Sequence, residues 1–266
     1  DINAQAAAGL AGQYGAEVRT TEAILADASI NAVLIATSTD THSDLIERAT
    51  AAGKAVLCEK PVDLSLARAQ ACQKAVAQNG KPVMIGFNRR FDPNFAALKA
   101  AADKGEIGKT ELLSITSFDP APPPVAYIKV SGGLFRDMMI HDFDMAAFVV
   151  GSPVVKVWAQ GANLIDPAIG EAGDVDLGVA VLTHANGAIT TIDISREAPY
   201  GYDQRVEVLG SLGMAVSDNE RLHRSEVYLA GETHRPVLPN FFIERYREAF
   251  DAEISEFVEA VETGRA

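Results

Sequence analysis

Cysteine, tryptophan and long apolar runs are scarce in this sequence. Its 266 residues include two cysteines, Cys58 and Cys72, and one tryptophan. Two cysteines cannot build a disulfide framework, which fits a reducing compartment, and we expect a cytoplasmic protein. The longest apolar runs are too short to cross a bilayer, and no charged-then-apolar leader opens the chain. We therefore expect no membrane partner.

Positive charge is also in deficit. The sequence carries 23 lysines and arginines against 36 aspartates and glutamates, a formal net charge of -13. A field of that sign argues against nucleic-acid partners. It leaves room for a phosphate-bearing cofactor, because backbone amides can bind phosphate locally.

Metal-ligand spacing is absent from the five histidines and their acidic neighbours. No combination has the spacing expected of a zinc site. Asp142 and Asp144 lie close together on a predicted helix, which is more typical of a solvated face. We predict no metal.

Alternating strands and helices dominate the first third of the sequence. Short apolar runs at 31–37, 55–57 and 82–87, and a candidate short strand at 17–19, are separated by helical stretches with caps and terminal glycines. This alternation is typical of a doubly wound parallel sheet. It predicts a partial dinucleotide-binding domain over residues 1–88.

Residues 89–266 have a different pattern. Several runs alternate in polarity, and Asn186-Gly187 between two of them is a strong hairpin signal. A long amphipathic helix is predicted over 241–261. The second domain should therefore be α+β, with a large, mostly antiparallel sheet and helices on one side, and should serve substrate binding and oligomerisation.

One stretch, residues 132–144, has the sequence GGLFRDMMIHDFD. Its apolar spacing predicts a helix that follows a glycine pair and is stopped by Gly151. Asp137 and His141 are four residues apart, so they should project from the same side. A carboxylate beside an imidazole suits general acid–base chemistry, although a surface Asp–His pair is the simpler alternative.

A second stretch is Cys58-Glu59-Lys60-Pro61, directly after a short apolar strand. It places charges at the carboxyl edge of a parallel sheet, where ligands bind. Lys60 there could orient a hydroxyl or polarise a carbonyl; an ordinary surface Lys–Glu pair is the alternative.

Together, Glu59-Lys60-Pro61 and the 132–144 stretch resemble the glucose-fructose oxidoreductase and inositol dehydrogenase family (Gfo/Idh/MocA). The resemblance includes GFNRRFD at 86–92 and YGYD at 200–203, and extends over nearly the whole chain. It implies a Rossmann-type N-terminal domain, NAD as cofactor, and Lys60, Asp137 and His141 as the catalytic set.

The implied activity is oxidation of a ring secondary alcohol of a cyclic polyol to a ketone. Myo-inositol 2-dehydrogenase activity is favoured. A related sugar or scyllo-inositol dehydrogenase, and a non-catalytic binding module of the same fold, are the alternatives. The preferred stereoisomer is left open, because Asn88 and Met138 occupy positions where inositol dehydrogenases vary.

Further residues are assigned to binding, some with competing structural interpretations. Arg89 and Asn88 could line the polyol pocket, whereas His42 could equally be a surface histidine of a first helical turn and Tyr202 could be core packing. The cofactor residues are predicted to be Asp1, Thr37, Ser38, His42, Glu59 and Lys60. The substrate residues are predicted to be Asn88, Arg89, Tyr127 and Tyr202.

The fingerprint Gly-x-Gly-x-x-Gly does not occur in these residues. Gly9, Gly12 and Gly15 lie in a helix-like stretch and are rejected as a phosphate loop. By the resemblance, Asp1 stands at the acid that follows the second strand, where it would select NAD over NADP. We therefore expect the sequence to begin after about the first 30 residues of a βαβ unit and to end early as well.

Self-association is expected too. An apolar sheet face with few covering helices is a liability unless another subunit packs on it. The resemblance implies dimers formed sheet to sheet, often paired into tetramers.

Overall fold

The computed structural model describes residues 1–265, which divide into two compact units. The first unit comprises residues 1–86 together with the chain from Ile254 onward, and the second comprises Phe87–Glu253. None of the helices in the described residues is long and apolar enough to cross a membrane.

The first unit is built on three parallel strands in the order β1-β2-β3. Val33 pairs with Val56, and Val56 pairs with Val83, so the carboxyl ends of the three strands lie at the same level in the sheet. The elements, in chain order, are α1 (Ala4–Tyr14), α2 (Thr21–Ala26), β1 (Ala32–Ile35), a 3₁₀ turn (Thr39–Thr41), α3 (His42–Ala51), β2 (Ala55–Cys58), α4 (Leu66–Asn79) and β3 (Val83–Ile85).

Apolar side chains pack on both faces of this sheet around β2. Every residue of β2 is buried, as expected of a central parallel strand. Ile46 of α3 and Cys72 of α4 pack on one face, and Phe257 near the end of the chain packs on the other. The parallel α/β prediction is confirmed, but the strand predicted at 17–19 is not formed.

The second unit is organised around a six-stranded sheet in the order β5-β6-β7-β4-β8-β9. Its neighbouring strands are antiparallel except for the parallel β4–β7 pair. The strands are β4 (Thr110–Phe118), β5 (Val154–Ala162), β6 (Leu177–His184), β7 (Ile189–Ser195), β8 (Asp203–Gly210) and β9 (Gly213–Ser217); β10 (Val227–Leu229) and β11 (Glu232–His234) form a separate hairpin.

One face of this sheet carries the core of the unit. Alternate residues of β6 are buried, and α5 and α7 pack over them through residues such as Phe95 and Met145. The helical elements are a 3₁₀ turn (Asn88–Phe91), α5 (Pro93–Asp103), α6 (Val125–Ser131), a π-helical turn (Leu134–Met138), α7 (Ile140–Val150), α8 (Pro167–Glu171), α9 (Phe242–Arg245) and α10 (Arg247–Thr263).

Local signals account for much of this unit. The predicted Asn186-Gly187 hairpin joins β6 and β7, with Gly187 at a φ of 90° that favours glycine. The predicted helix over 241–261 is instead two helices, because the backbone leaves helical geometry at Tyr246, whose ring is buried in the core. Helices α6 and α8 were not predicted; both are only a few residues long.

Candidate functional site

Three strand ends of the first unit form a polar edge. The Glu59 amide donates to the carbonyl of Ile35, and the Gly86 amide donates to that of Cys58. These bonds hold the residues that follow β1, β2 and β3 side by side. The exposed Thr37 and Ser38 follow β1, while the half-buried Glu59 and Lys60 follow β2. This is the carboxyl edge at which ligands of parallel sheets bind.

His42 lies behind this edge and is buried. Its Nδ1 is 2.8 Å from the carbonyl oxygen of Pro61, and its Nε2 is 3.1 Å from that of Thr37. The ring therefore ties the turn after Lys60 to the end of β1. The surface-histidine alternative is wrong for this position, while the predicted cofactor role remains a prediction.

The neighbours of Glu59 include Gly86, which has no side chain, and Cys58, whose thiol is unreactive. Burial raises the pKa of Glu59, and the charge of Lys60 partly opposes that rise. A Cβ on Gly86 would sit 3.1 Å from Glu59 Oε2, so glycine leaves this carboxyl its space. Burial also raises the pKa of the Cys58 thiol to about 12, so the thiol is unreactive at neutral pH.

Asp1 precedes α1 and is exposed. Its carboxylate accepts a hydrogen bond from the Asn3 amide at 2.7 Å, and Asn3 in turn caps α1. Its predicted contact with a cofactor ribose remains a prediction.

In the second unit, the Gly132-Gly133 pair leads into a π-helical turn rather than directly into an α-helix. Gly132 and Gly133 have φ values of 94° and 82°, and Leu134–Met138 form the turn. Asp137 belongs to this turn and His141 to the first turn of α7. The expectation of one continuous helix is therefore corrected. π-Helical turns occur frequently at functional sites.

Asp137 is a buried carboxylate with contacts on both oxygens. The Tyr127 hydroxyl donates to its Oδ1 at 2.8 Å, and Arg196 Nη1 lies 3.8 Å from its Oδ2. Burial and the charge of Asp137 raise the pKa of Tyr127 above its usual value. The tyrosine therefore remains a donor to the carboxylate at physiological pH.

His141 is half-buried, and its ring lies perpendicular to that of Phe87. The two ring centroids are 6.3 Å apart with an interplanar angle of 89°. An edge-to-face contact of this kind restrains the imidazole while leaving part of it accessible.

Asp119 was not among the predicted site residues. It directly follows β4, and burial raises the pKa of its carboxyl to about 7, although Arg89 and Arg196 favour the charged form. The charge of Asp137 raises that pKa further. The position of Asp119 after a strand was the available signal, but its pKa depends on residues distant in sequence. A perturbed carboxyl of this kind marks a functional-site candidate.

Three predicted substrate residues, Asn88, Arg89 and Tyr202, are buried. Arg89 donates to Asp142 at 2.6 Å and to Ser117 at 3.3 Å. Tyr202 packs edge-on against the ring of Tyr246. These contacts show structural roles, and any further role in holding a substrate stays a prediction.

Among residues 1–265 there is no group of three or more histidine, cysteine, aspartate or glutamate side chains that could hold a metal ion. Asp142 pairs with Arg89, and Asp144 accepts hydrogen bonds from Arg90. The solvated-face interpretation is wrong for Asp142, which is fully buried.

Two family models together match most of the chain. Residues 1–87 match an oxidoreductase family with an NAD-binding Rossmann fold, and residues 95–216 match the Gfo/Idh/MocA C-terminal domain. Fold and site thus define an NAD-binding Rossmann oxidoreductase. The chain belongs to the Gfo/Idh/MocA family, so the predicted family and its cofactor, NAD, are confirmed.

Named relatives agree with this assignment. The chain is 53% identical to inositol 2-dehydrogenase of Rhizobium meliloti (strain 1021), over 97% of this chain and 78% of the relative. It is similar to a myo-inositol dehydrogenase structure from Corynebacterium glutamicum ATCC 13032, with a TM-score of 0.95, 42% identity and coverage of 100% and 80% of the two chains. A scyllo-inositol dehydrogenase from Lactobacillus casei with bound NAD(H) and scyllo-inositol gives a TM-score of 0.87 at 30% identity, with coverage of 96% and 77%.

Proposed function

We propose that this protein oxidises a ring secondary alcohol of a cyclic polyol to a ketone with NAD, and that myo-inositol, oxidised at C2, is its preferred substrate. The observation that carries the proposal is the Asp137 carboxylate, held between Tyr127 and Arg196 four residues before His141. The 53% identity to an inositol 2-dehydrogenase over nearly the whole chain supports the choice of substrate.

In the proposed reaction, His141 accepts the proton of the hydroxyl that is oxidised. Asp137 orients the imidazole, and Lys60 hydrogen-bonds the reacting oxygen and stabilises negative charge that develops there. A neutral, accessible imidazole is required for proton transfer, and His141 is half-buried rather than enclosed.

The polar edge of the first unit fits the cofactor. Thr37 and Ser38 supply exposed hydroxyls, and Glu59 and Lys60 supply a carboxyl and an ammonium beside them. These groups match the hydroxyl and amide groups of a nicotinamide nucleoside, with His42 supporting the backbone behind them and Asp1 assigned to the ribose 2′-hydroxyl. NAD, when bound, accepts the hydride from the carbon being oxidised.

For the polyol, we retain Asn88, Arg89, Tyr127 and Tyr202 as proposed binding residues and add Asp119. The pKa of about 7 at Asp119 lets its carboxyl donate or accept a hydrogen bond near neutral pH. A polyol hydroxyl can serve as its partner in either state.

Scyllo-inositol is the second candidate substrate, because the structure of a scyllo-inositol dehydrogenase with that compound bound has a TM-score of 0.87 to this chain. A panel of myo-inositol, scyllo-inositol and glucose, each with NAD and with NADP, distinguishes the candidates. We expect the highest kcat/KM for myo-inositol with NAD. Preference for scyllo-inositol or glucose would change the assigned substrate but not the family. If the full-length protein neither turned over a polyol nor bound NAD, a non-catalytic binding module would be favoured.

We also propose self-association through the sheet face opposite the core. The strand register places apolar side chains from four adjacent strands in one row across that face. The row consists of Ile189, Leu112, Leu209 and Met214. Met214 is 59% exposed and Leu209 43% exposed, which leaves an uncovered apolar surface that a second copy would bury. A monomeric mass by light scattering at micromolar concentration would contradict a dimer or tetramer.

We also propose a cytoplasmic location, because both cysteines are free thiols. Cys58 and Cys72 are both buried free thiols, as expected in a reducing compartment.

A further inference from the structure

Arg196 is a charged side chain enclosed within the second unit. It follows β7 and is only 1% exposed, so its guanidinium relies on nearby carboxylates for compensation. Its Nη2 lies 3.3 Å from Asp174 Oδ2, and its Nη1 lies 3.8 Å from Asp137 Oδ2. One buried positive charge is thus shared between two acids.

Asp174 connects this charge to the π-helical turn. The Leu134 amide donates to both of its carboxylate oxygens, at 3.0 and 3.1 Å. A Cβ on Gly133 would lie 2.6 Å from Asp174 Oδ1, so the glycine allows this close approach. Asp174 therefore fixes the first residue of the turn that carries Asp137, and Arg196 fixes Asp174.

Asp137 itself is held from two sides. Tyr127 donates to one of its oxygens from α6, and Arg196 faces the other from the end of β7. Asp119 also acts electrostatically on both Asp137 and Arg196. Of these groups, Arg196 is the one that brings positive charge towards the Asp137 carboxylate.

We propose that Arg196, together with Asp174, is a positioning residue for the Asp137–His141 acid–base pair. The inference rests on the proposed alcohol oxidation. In that reaction Asp137 must be fixed and ionised to orient the imidazole, and Arg196 limits how strongly its negative charge favours protonation of His141. Asp174 tunes this effect because it competes with Asp137 for the same guanidinium.

The two partners should act with opposite signs. In Arg196→Met, the positive charge is lost, protonated His141 is favoured, and the acid limb of the kcat/KM profile should move to higher pH by about one unit. In Asp174→Asn, the amide oxygen can still accept from Leu134, while Asp137 no longer competes with the Asp174 charge for Arg196. The acid limb should then move to lower pH.

A matched control exists in the same unit. Arg245 and Asp92 form another buried pair, with each side chain 2% exposed, and Arg245 packs over the rings of Phe95 and Tyr246. Arg245→Met should lower the melting temperature as Arg196→Met does, yet leave the pH profile in place. Arg196→Met should lower kcat about tenfold with KM for myo-inositol nearly unchanged, and Arg196→Lys should restore most of that loss.

The titration of His141, followed by NMR of the full-length protein with labelled histidine, gives a readout that needs no turnover. Its midpoint should rise in Arg196→Met and fall in Asp174→Asn. If these shifts occur but the wild-type protein oxidises no polyol, the proposed function is wrong, while the effect of Arg196 and Asp174 on His141 is confirmed. Should Arg196→Met not fold, Arg196→Lys and Asp174→Asn carry the test. The proposal would be overturned if the folded variants kept the wild-type His141 titration and pH profile, and if their melting temperature and kcat fell only as much as in Arg245→Met.

Discussion

The two units of this protein place their charges differently. In the first unit, Arg48 and Glu22 form an exposed ion pair, with side chains 40% and 74% exposed. In the second unit, Arg89 and Asp142 pair with side chains 5% and 0% exposed. Surface ion pairs contribute little to stability. Breaking a buried pair is costly, because one charge remains buried without a partner.

The two units also position their candidate site residues in different ways. In the first unit, main-chain geometry positions the pairs Thr37-Ser38 and Glu59-Lys60, since each pair follows a strand of the parallel sheet. The second unit positions Asp137 by side chains from distant parts of the sequence, such as Arg196 and Tyr127. Four tests sharpen or break this comparison, beginning with the largest expected effect.

Arg89→Met should lower the free energy of unfolding by about 3–5 kcal/mol, because Asp142 would remain buried without its partner. Arg48→Met in the first unit should cost about 0–1 kcal/mol, since its pair is exposed. Urea denaturation of both variants measures the difference. Equal losses would show that burial of charge does not distinguish the units.

His141→Ala should lower kcat by about a hundredfold or more, because the proposed base for the hydroxyl proton is removed. NAD affinity should change little. Stopped-flow turnover and NAD titration separate the two effects, and near-wild-type turnover of every polyol would remove His141 from its proposed role.

Asp119→Asn tests the perturbed carboxyl. Its folded-state pKa of about 7 lies above the ordinary value of 3.8, so the folded protein keeps a proton that the unfolded chain releases. Wild-type stability should therefore fall as pH rises from about 4 to 7, and the slope should flatten in Asp119→Asn. The full shift would be worth about 4 kcal/mol, and we expect about half of that because the side chain is partly exposed. Parallel pH dependences of the two unfolding curves would contradict the raised pKa.

Asp1→Ser should raise the NADP-to-NAD ratio of kcat/KM by about tenfold, because a carboxylate at the ribose 2′-hydroxyl repels a 2′-phosphate. Glu17→Ser, which removes another exposed acid of the first unit, is the control. Steady-state kinetics with both cofactors provide the measurement. Equal ratios in the two variants would mean that Asp1 does not select the cofactor.

The same contrast explains what the sequence could predict. Parallel strands and the Asn186-Gly187 hairpin follow from local patterns, and all were predicted. Lys60 could be placed at a sheet edge because a strand end is a local feature. The predicted strand over 17–19 failed because strand formation also needs a pairing partner, which local propensity does not supply.

The arrangement around Asp137 depends on contacts that no local pattern records. The π-helical turn has its first amide bound to Asp174, 40 residues further along the chain. Arg196 resembled any polar residue after a strand, and its burial became visible only in the folded unit. Asp119 was missed for the same reason, since its pKa depends on Arg89, Arg196 and Asp137.

The central claim is hydride transfer from the ring carbon of a polyol. Incubating the full-length protein with NAD and myo-inositol deuterated at C2, followed by mass spectrometry of the nucleotide, tests it directly. We expect deuterium in the reduced nicotinamide and a slower rate than with unlabelled myo-inositol. Reduced nucleotide without deuterium, or no reduction of NAD by any inositol, would contradict it.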